Sequence, residues 1–184
     1  TRRSSDLLRC MFFTNVKAGI VAPSYRQAQF VFDEIDELYA HSAYLRAACS
    51  KAPSRCTTRC MLNFNSGSSI EALPMGKGGA TIRGRRYTIA FLDEYAQLDG
   101  ETIGMAIFPM LSNMKKGRRN QIIGASSPFF PEIAPHFYEM CAQYKQRMIE
   151  GDDYHYSSFN FVDVLLDNHK DFVPDLSFVE QAYL

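Results

Sequence analysis

The 184-residue sequence predicts an α/β layer fold on a mostly parallel sheet flanked by helices. Three observations lead there. Short apolar runs of strand length alternate with segments whose apolar residues recur at helical spacing. Three polar or acidic clusters, Pro23-Ser24, Asp93-Glu94 and Ser126-Ser127-Pro128, close such runs, and open α/β sheets place their chemistry at the carboxyl ends of strands. A hydrophobic content of 46%, with 14 Phe and 10 Tyr, supplies the apolar surface for a sizeable core.

The elements follow in order. Residues 5–13 read as the later turns of a helix. Lys17 to Pro23 is a short apolar run closed by proline, a buried strand. Ser24 is placed as an N-cap. From Tyr25 to about Ala47 the apolar Ala28, Val31, Phe32, Ile35, Leu38 and Tyr39 fall on one helical face, with Asp33, Glu34, Asp36 and Glu37 on the other. Arg59 to Phe64 and Ser69 to Leu73 form two strands joined at Asn65-Ser66-Gly67, a hairpin signal. A loop with Gly76, Gly78 and Gly79 leads to the strand Tyr87 to Leu92. Thr102 to Leu111 is helical, with Pro109 expected to kink or end it. Gln121 to Ala125 is a strand, Pro135 to Ile149 a helix, Tyr154 to Phe161 an alternating strand and the last ten residues a helix.

Composition narrows the function. No apolar run approaches the ~18 residues of a membrane span, and the polar start Thr-Arg-Arg-Ser-Ser-Asp lacks the apolar core of a secretion signal. Charge is balanced but uneven: residues 1–120 hold 17 basic and 10 acidic side chains, and residues 121–184 hold 3 and 10. The basic part suits phosphate, or forms an ordinary mixed surface. Lys115, Lys116, Arg118 and Arg119 are candidate DNA contacts or a solvated turn. Cys49, Cys56 and Cys60 lie close together without a C-x-x-C pair, and His41 is the only nearby histidine. Reduced thiols in a cytosolic protein fit this better than zinc.

The sharpest signal is Ile89-Ala90-Phe91-Leu92-Asp93-Glu94, a buried strand that ends in two adjacent carboxylates. In ATP-hydrolysing P-loop proteins the first such carboxylate holds Mg²⁺ through water and the second polarises the attacking water. Taken alone, the same string also fits a strand followed by a solvated acidic turn. Just upstream, Arg83 forms a basic cluster with Arg85 and Arg86, suited to phosphate. Gln121 to Pro128 is expected beside the Asp93 strand, with the Ser126 and Ser127 hydroxyls able to sense a γ-phosphate or simply to cap a turn.

In order, the sequence carries Val21-Ala22-Pro23-Ser24, then Gly67-Ser68-Ser69-Ile70-Glu71-Ala72-Leu73-Pro74. Thr81-Ile82-Arg83-Gly84, Phe91-Leu92-Asp93-Glu94-Tyr95-Ala96 and Ser126-Ser127-Pro128 follow. This series, over residues 1–140, resembles the ATPase domain of the large terminase subunit of tailed bacteriophages, the DNA-packaging motor. The resemblance implies a P-loop NTPase fold of the additional-strand, catalytic-glutamate type. Residues 1–130 would be the ATPase core. Residues 131–184 would be a small lid subdomain leading toward a nuclease domain not evident in the chain. By the same likeness, Asp93 is the Walker B residue that holds Mg²⁺ through water. Glu94 is the catalytic glutamate. Ser126 and Ser127 form the coupling motif, where the family more often has threonines. Arg83 is a finger reaching a neighbouring subunit's ATP.

ATP and Mg²⁺ are the implied cofactors. The implied partners are double-stranded DNA, the portal protein, the small terminase subunit and further copies of the chain in a ring on the portal. The setting is the capsid-assembly site in the host cytoplasm. One departure stands out: no G-x-x-x-x-G-K-[ST] occurs in the sequence. The phosphate loop is therefore expected upstream of Thr1, in a longer protein. The alternatives are a non-hydrolysing DNA- or partner-binding module with an ATPase-like fold, or a helicase-like translocase.

Overall fold

The computed structural model describes residues 9–111 and 120–158. Among the described residues the sheet has six strands: β1 (Lys17–Ala22), β2 (Ser54–Arg55), β3 (Cys60–Asn63), β4 (Ser69–Pro74), β5 (Ile89–Leu92) and β6 (Gln121–Gly124). Their spatial order is β2-β3-β4-β1-β5-β6. β4, β1, β5 and β6 run parallel, while β2-β3 and β3-β4 are antiparallel. The sheet is thus mixed, with a parallel centre and an antiparallel edge built by the Asn65-Ser66-Gly67 hairpin. Gly67 has φ +78° there, a backbone that glycine adopts without steric cost.

Along β1 the side chains alternate. Ala18, Ile20 and Ala22 join Ile70, Ala72, Ile89 and Phe91 in the core under α1 (Tyr25–His41), which contributes Ala28, Val31, Phe32 and Ile35. Val21, Leu73 and Leu92 point to the other face and are equally buried, as are Ile82, Leu98, Ile103 and Ile107 from the connections after β4 and β5.

α1 starts as expected. Ser24 takes the N-cap with a full capping box: its hydroxyl accepts the Gln27 N–H, and Gln27 reaches back to the Ser24 N–H. The helix does not run on to Ala47. It ends at Ser42, whose hydroxyl accepts the Leu45 N–H and opens α2 (Ala43–Ala48). A serine that caps a new helix competes with helix continuation. Leu38, in the last turn of α1, is exposed rather than in the core.

The helix does not end at Pro109 but continues through it to Leu111. The chain passes from α3 (Gly100–Thr102) through a π-helical stretch (Ile103–Ile107) into α4 (Phe108–Leu111), with the Phe108 N–H reaching back to the Ile103 carbonyl. The wider turn carries the helix through the proline. α5 (Pro135–Ile149) has the expected bounds. Residues 154–158 are irregular rather than a strand. The helix expected before residue 9, the rest of the strand expected to residue 161, the helix expected over the last ten residues and the Lys115–Arg119 cluster lie outside the described residues; residues 9–12 are helical.

The described residues divide into two compact units, one running to Tyr138 and the other starting at Glu139. In the second, Arg147 pairs with Asp152 at 2.9 Å, and the Tyr144 and Tyr154 rings meet edge-on.

Candidate functional site

The parallel strands bring their carboxyl ends to one edge of the sheet. Register pairs Ala22 with Pro74, Val21 with Leu92, and Leu92 with Gly124. The ladder continues past the strands, from the Asp93 N–H to the Val21 carbonyl (2.9 Å) and from the Ala125 N–H to the Leu92 carbonyl (3.0 Å). Pro23-Ser24, Asp93-Glu94 and Ser126 therefore emerge side by side.

Asp93 is half-buried at the tip of β5. At Glu94 the chain turns through the left-handed region (φ +49°, ψ +51°), rare for a residue with a side chain. The turn sends Tyr95 back to β6, where its N–H meets the Ala125 carbonyl at 3.0 Å. Ser126 then joins the two strand ends. Its hydroxyl accepts the Ala96 N–H at 3.1 Å and lies 3.4 Å from Glu94 Oε2 and 3.0 Å from the Ser127 carbonyl. With one proton, the hydroxyl donates to one of these oxygens at a time. The Gln97 amide lies 3.4 Å from the same Glu94 oxygen. Two adjacent carboxylates at the tip of β5 thus stand beside a hydroxyl that follows β6, a set of groups chemically able to meet a cation or to orient a polar ligand.

Of the residues singled out from sequence, the structure thus joins Glu94 to Ser126, with Asp93 next to Glu94 in the chain. The Ser127 side chain is exposed, and its carbonyl makes the contact. Arg83 belongs to the connection between β4 and β5. It is exposed, with its Nε donating to the Gly78 carbonyl at 2.9 Å and its N–H to the Gly79 carbonyl at 3.0 Å.

A buried charged network was not anticipated. Glu71, in β4 between β3 and β1, is 6% exposed. One carboxylate oxygen receives Arg59 at 2.8 Å and Arg85 at 2.5 Å, and the other receives the Tyr87 hydroxyl at 2.5 Å. The Tyr87 ring lies over Gly19 of β1, directly beside Glu71 in register. Burial first, then the bond to Glu71, pushes the Tyr87 hydroxyl well above its ordinary range. The signal in the sequence was a lone charge inside the apolar run Ser69–Pro74.

Mg²⁺ keeps most of its waters and takes one or two protein carboxylates beside phosphate oxygens. A single strand-tip aspartate fits that need. Among the described residues, no group of three or more His, Cys, Asp or Glu side chains could hold a metal.

This architecture has counterparts among solved structures. The large terminase of the thermophilic bacteriophage D6E superposes with a TM-score of 0.63 over 97% of this chain and 40% of its own, at 14% identity. The same terminase in complex with ATP-gamma-S gives 0.61 over 98% and 39%, at 15% identity. The HK97 bacteriophage large terminase gives 0.55 over 77% and 30%, at 17% identity. The chain shares the fold of bacteriophage large terminases. It spans 30–40% of the length of those terminase chains. No protein-family model and no curated protein matches the sequence. The strand order places Asp93-Glu94 on the strand between β1 and β6 of this terminase-like sheet.

Proposed function

We propose that this chain is the ATPase core of a DNA-packaging motor, with ATP hydrolysis driving double-stranded DNA into a capsid. The observation that carries the reading is Glu94: a carboxylate at a strand tip, set by a left-handed turn and met by the Ser126 hydroxyl just past the end of the adjacent parallel strand. The fold likeness to large terminases, one of them solved with ATP-gamma-S, supports the same reading.

In this reading Asp93 holds Mg²⁺ through water, and the bound ion would neutralise charge on the phosphate oxygens. Glu94 orients the attacking water and accepts its proton. Ser126 restrains Glu94 through one hydrogen bond and releases it by turning its hydroxyl toward the Ser127 carbonyl, so the Ser126-Ser127 pair couples nucleotide state to the sheet. Arg83 reaches the nucleotide of a neighbouring subunit, where a planar guanidinium matches phosphate geometry. Residues after about 130 act as a lid subdomain. The assembly is a ring of copies on a portal protein, fed by a small terminase subunit, at the capsid-assembly site in the host cytoplasm.

The test is Glu94→Gln in the protein at the length of the structures it resembles, including a phosphate loop. Turnover is expected to fall by about 10²–10⁴, the range general-base removal gives, while fluorescent-nucleotide binding stays within about two-fold, since the amide keeps the shape and most of the binding contacts. Unchanged turnover removes Glu94 from the role. A wild-type protein that binds no nucleotide would leave a DNA- or partner-binding module with an ATPase-like fold.

A further inference from the structure

The geometry points to Glu71 as a positioning residue that sets the path of the β4–β5 connection and, through it, the guanidinium of Arg83. A carboxylate inside a sheet is costly to bury, and an apolar residue of similar volume serves stability as well or better. What the charge adds is direction. Glu71 takes Arg85 from the connection and Arg59 from the β2–β3 turn on one oxygen.

Arg85 is a brace with two ends: Nη1 on Glu71 at 2.5 Å and Nε on the Thr81 carbonyl at 2.9 Å. The Thr81 hydroxyl, with one proton to donate, faces the carbonyl of Met75, at 2.8 Å, and that of Pro74, where the connection leaves β4. The middle of the connection is wedged by Gly79, where a Cβ would stand 2.9 Å from Ala106 and 3.0 Å from Thr102, and by the fully buried Ile82. Arg83 sits between the wedge and the brace. Its backbone and Nε are both bonded inside the same loop, so the direction of its guanidinium follows the loop. Replacing Glu71 frees the Arg85 end of the brace and leaves the sheet ladder in place.

This inference rests on the role given to Arg83 above, and the test separates the two. Glu71→Gln is made in the full-length protein, alone and with Arg83→Ala. Hydrogen exchange is followed in residues 76–86 and, as a reference, in β1 and β5. The Ile82 and Arg83 amides, both bonded to the Gly79 carbonyl, are expected to exchange about ten-fold faster or more, with β1 and β5 unchanged, as for local opening. Turnover is expected to show a lower kcat with KM within about two-fold, and no further loss from Glu71→Gln once Arg83 is alanine, the non-additivity of residues acting through one another.

Arg85→Gln cuts the same brace from the loop side and replaces Glu71→Gln if that protein does not fold. Unchanged exchange in residues 76–86 overturns the inference, as does a full additional loss of kcat in the Arg83→Ala background. If Arg83→Ala alone leaves turnover unaltered, it is the role of Arg83 that falls. The exchange data then still decide whether Glu71 sets the loop.

Discussion

Ser126 carries three contacts on one hydroxyl, and its removal separates structure from control. Ser126→Ala leaves the Ala96 N–H without its acceptor, which costs about 1 kcal/mol in a half-buried turn and reads as a small drop in unfolding midpoint. It also frees the Glu94 carboxylate, so turnover in the complete protein is expected to lose its dependence on DNA while a basal rate persists. A basal rate lost along with the DNA response would give Ser126 a direct part in the chemistry. Cys56 offers a second residue-level test. The Thr58 backbone N–H, then the Thr58 hydroxyl, lowers its thiol from an ordinary value of 9.0 to about 7. The reactive thiolate gains population as pH rises through that value. Alkylation of Cys56 is therefore expected to reach half its maximal rate near pH 7, with Cys10 and Cys60, both buried, reacting far more slowly in the folded protein. A half-rate point near 9 contradicts the Thr58 effect.

Each element owes its shape to a few positions, and some of these could be seen in advance. β1, β4, β5 and β6 were legible because each is an apolar run bounded by turn residues. That Asp93-Glu94 and Ser126-Ser127 would end neighbouring strands was legible because both close such runs, whereas the Glu94–Ser126 contact itself depends on the left-handed turn at Glu94, which no local pattern announces. The break at Ser42 was not, since Ala43 to Ala48 continue a pattern any helix accepts and only the cap geometry stops α1. The Glu71 network was not legible either, because Arg85 and Tyr87 meet it 14 and 16 residues along the chain, after a crossover that local spacing does not encode. Gly19 is the clearest case of a residue explained only by the fold. A Cβ there would stand 2.4 Å from Tyr87 Cε2 and 2.5 Å from Cδ2. Gly19→Ala is expected to destabilise by about 1–3 kcal/mol through overpacking, measured by chemical denaturation. The loss should shrink in a Tyr87→Leu background, where the ring is gone. An equal loss in both backgrounds would place its origin outside the Tyr87 contact.

At the scale of the whole molecule, the proposed motor depends on neighbours that a single chain does not contain. Arg83→Ala is expected to slow ATP turnover of the assembled ring far more than it weakens nucleotide binding. Mixing Arg83→Ala subunits with Glu94→Gln subunits should restore part of the turnover, because each supplies the group the other lacks. If an isolated subunit loses the same activity on Arg83→Ala, the arginine acts within its own chain. Among the described residues no helix is long and apolar enough to cross a membrane. The π-helical stretch before Pro109 adds a consequence for how this chain tolerates changes in length. A π turn spends one residue more than an α turn over nearly the same rise. Deleting one residue from Ile103–Ile107 would leave an ordinary helical turn there and set the Pro109 ring against the carbonyl four residues earlier. The length of this stretch is therefore tied to the proline that follows it: the extra residue of the π turn is a requirement of Pro109, not slack in the chain.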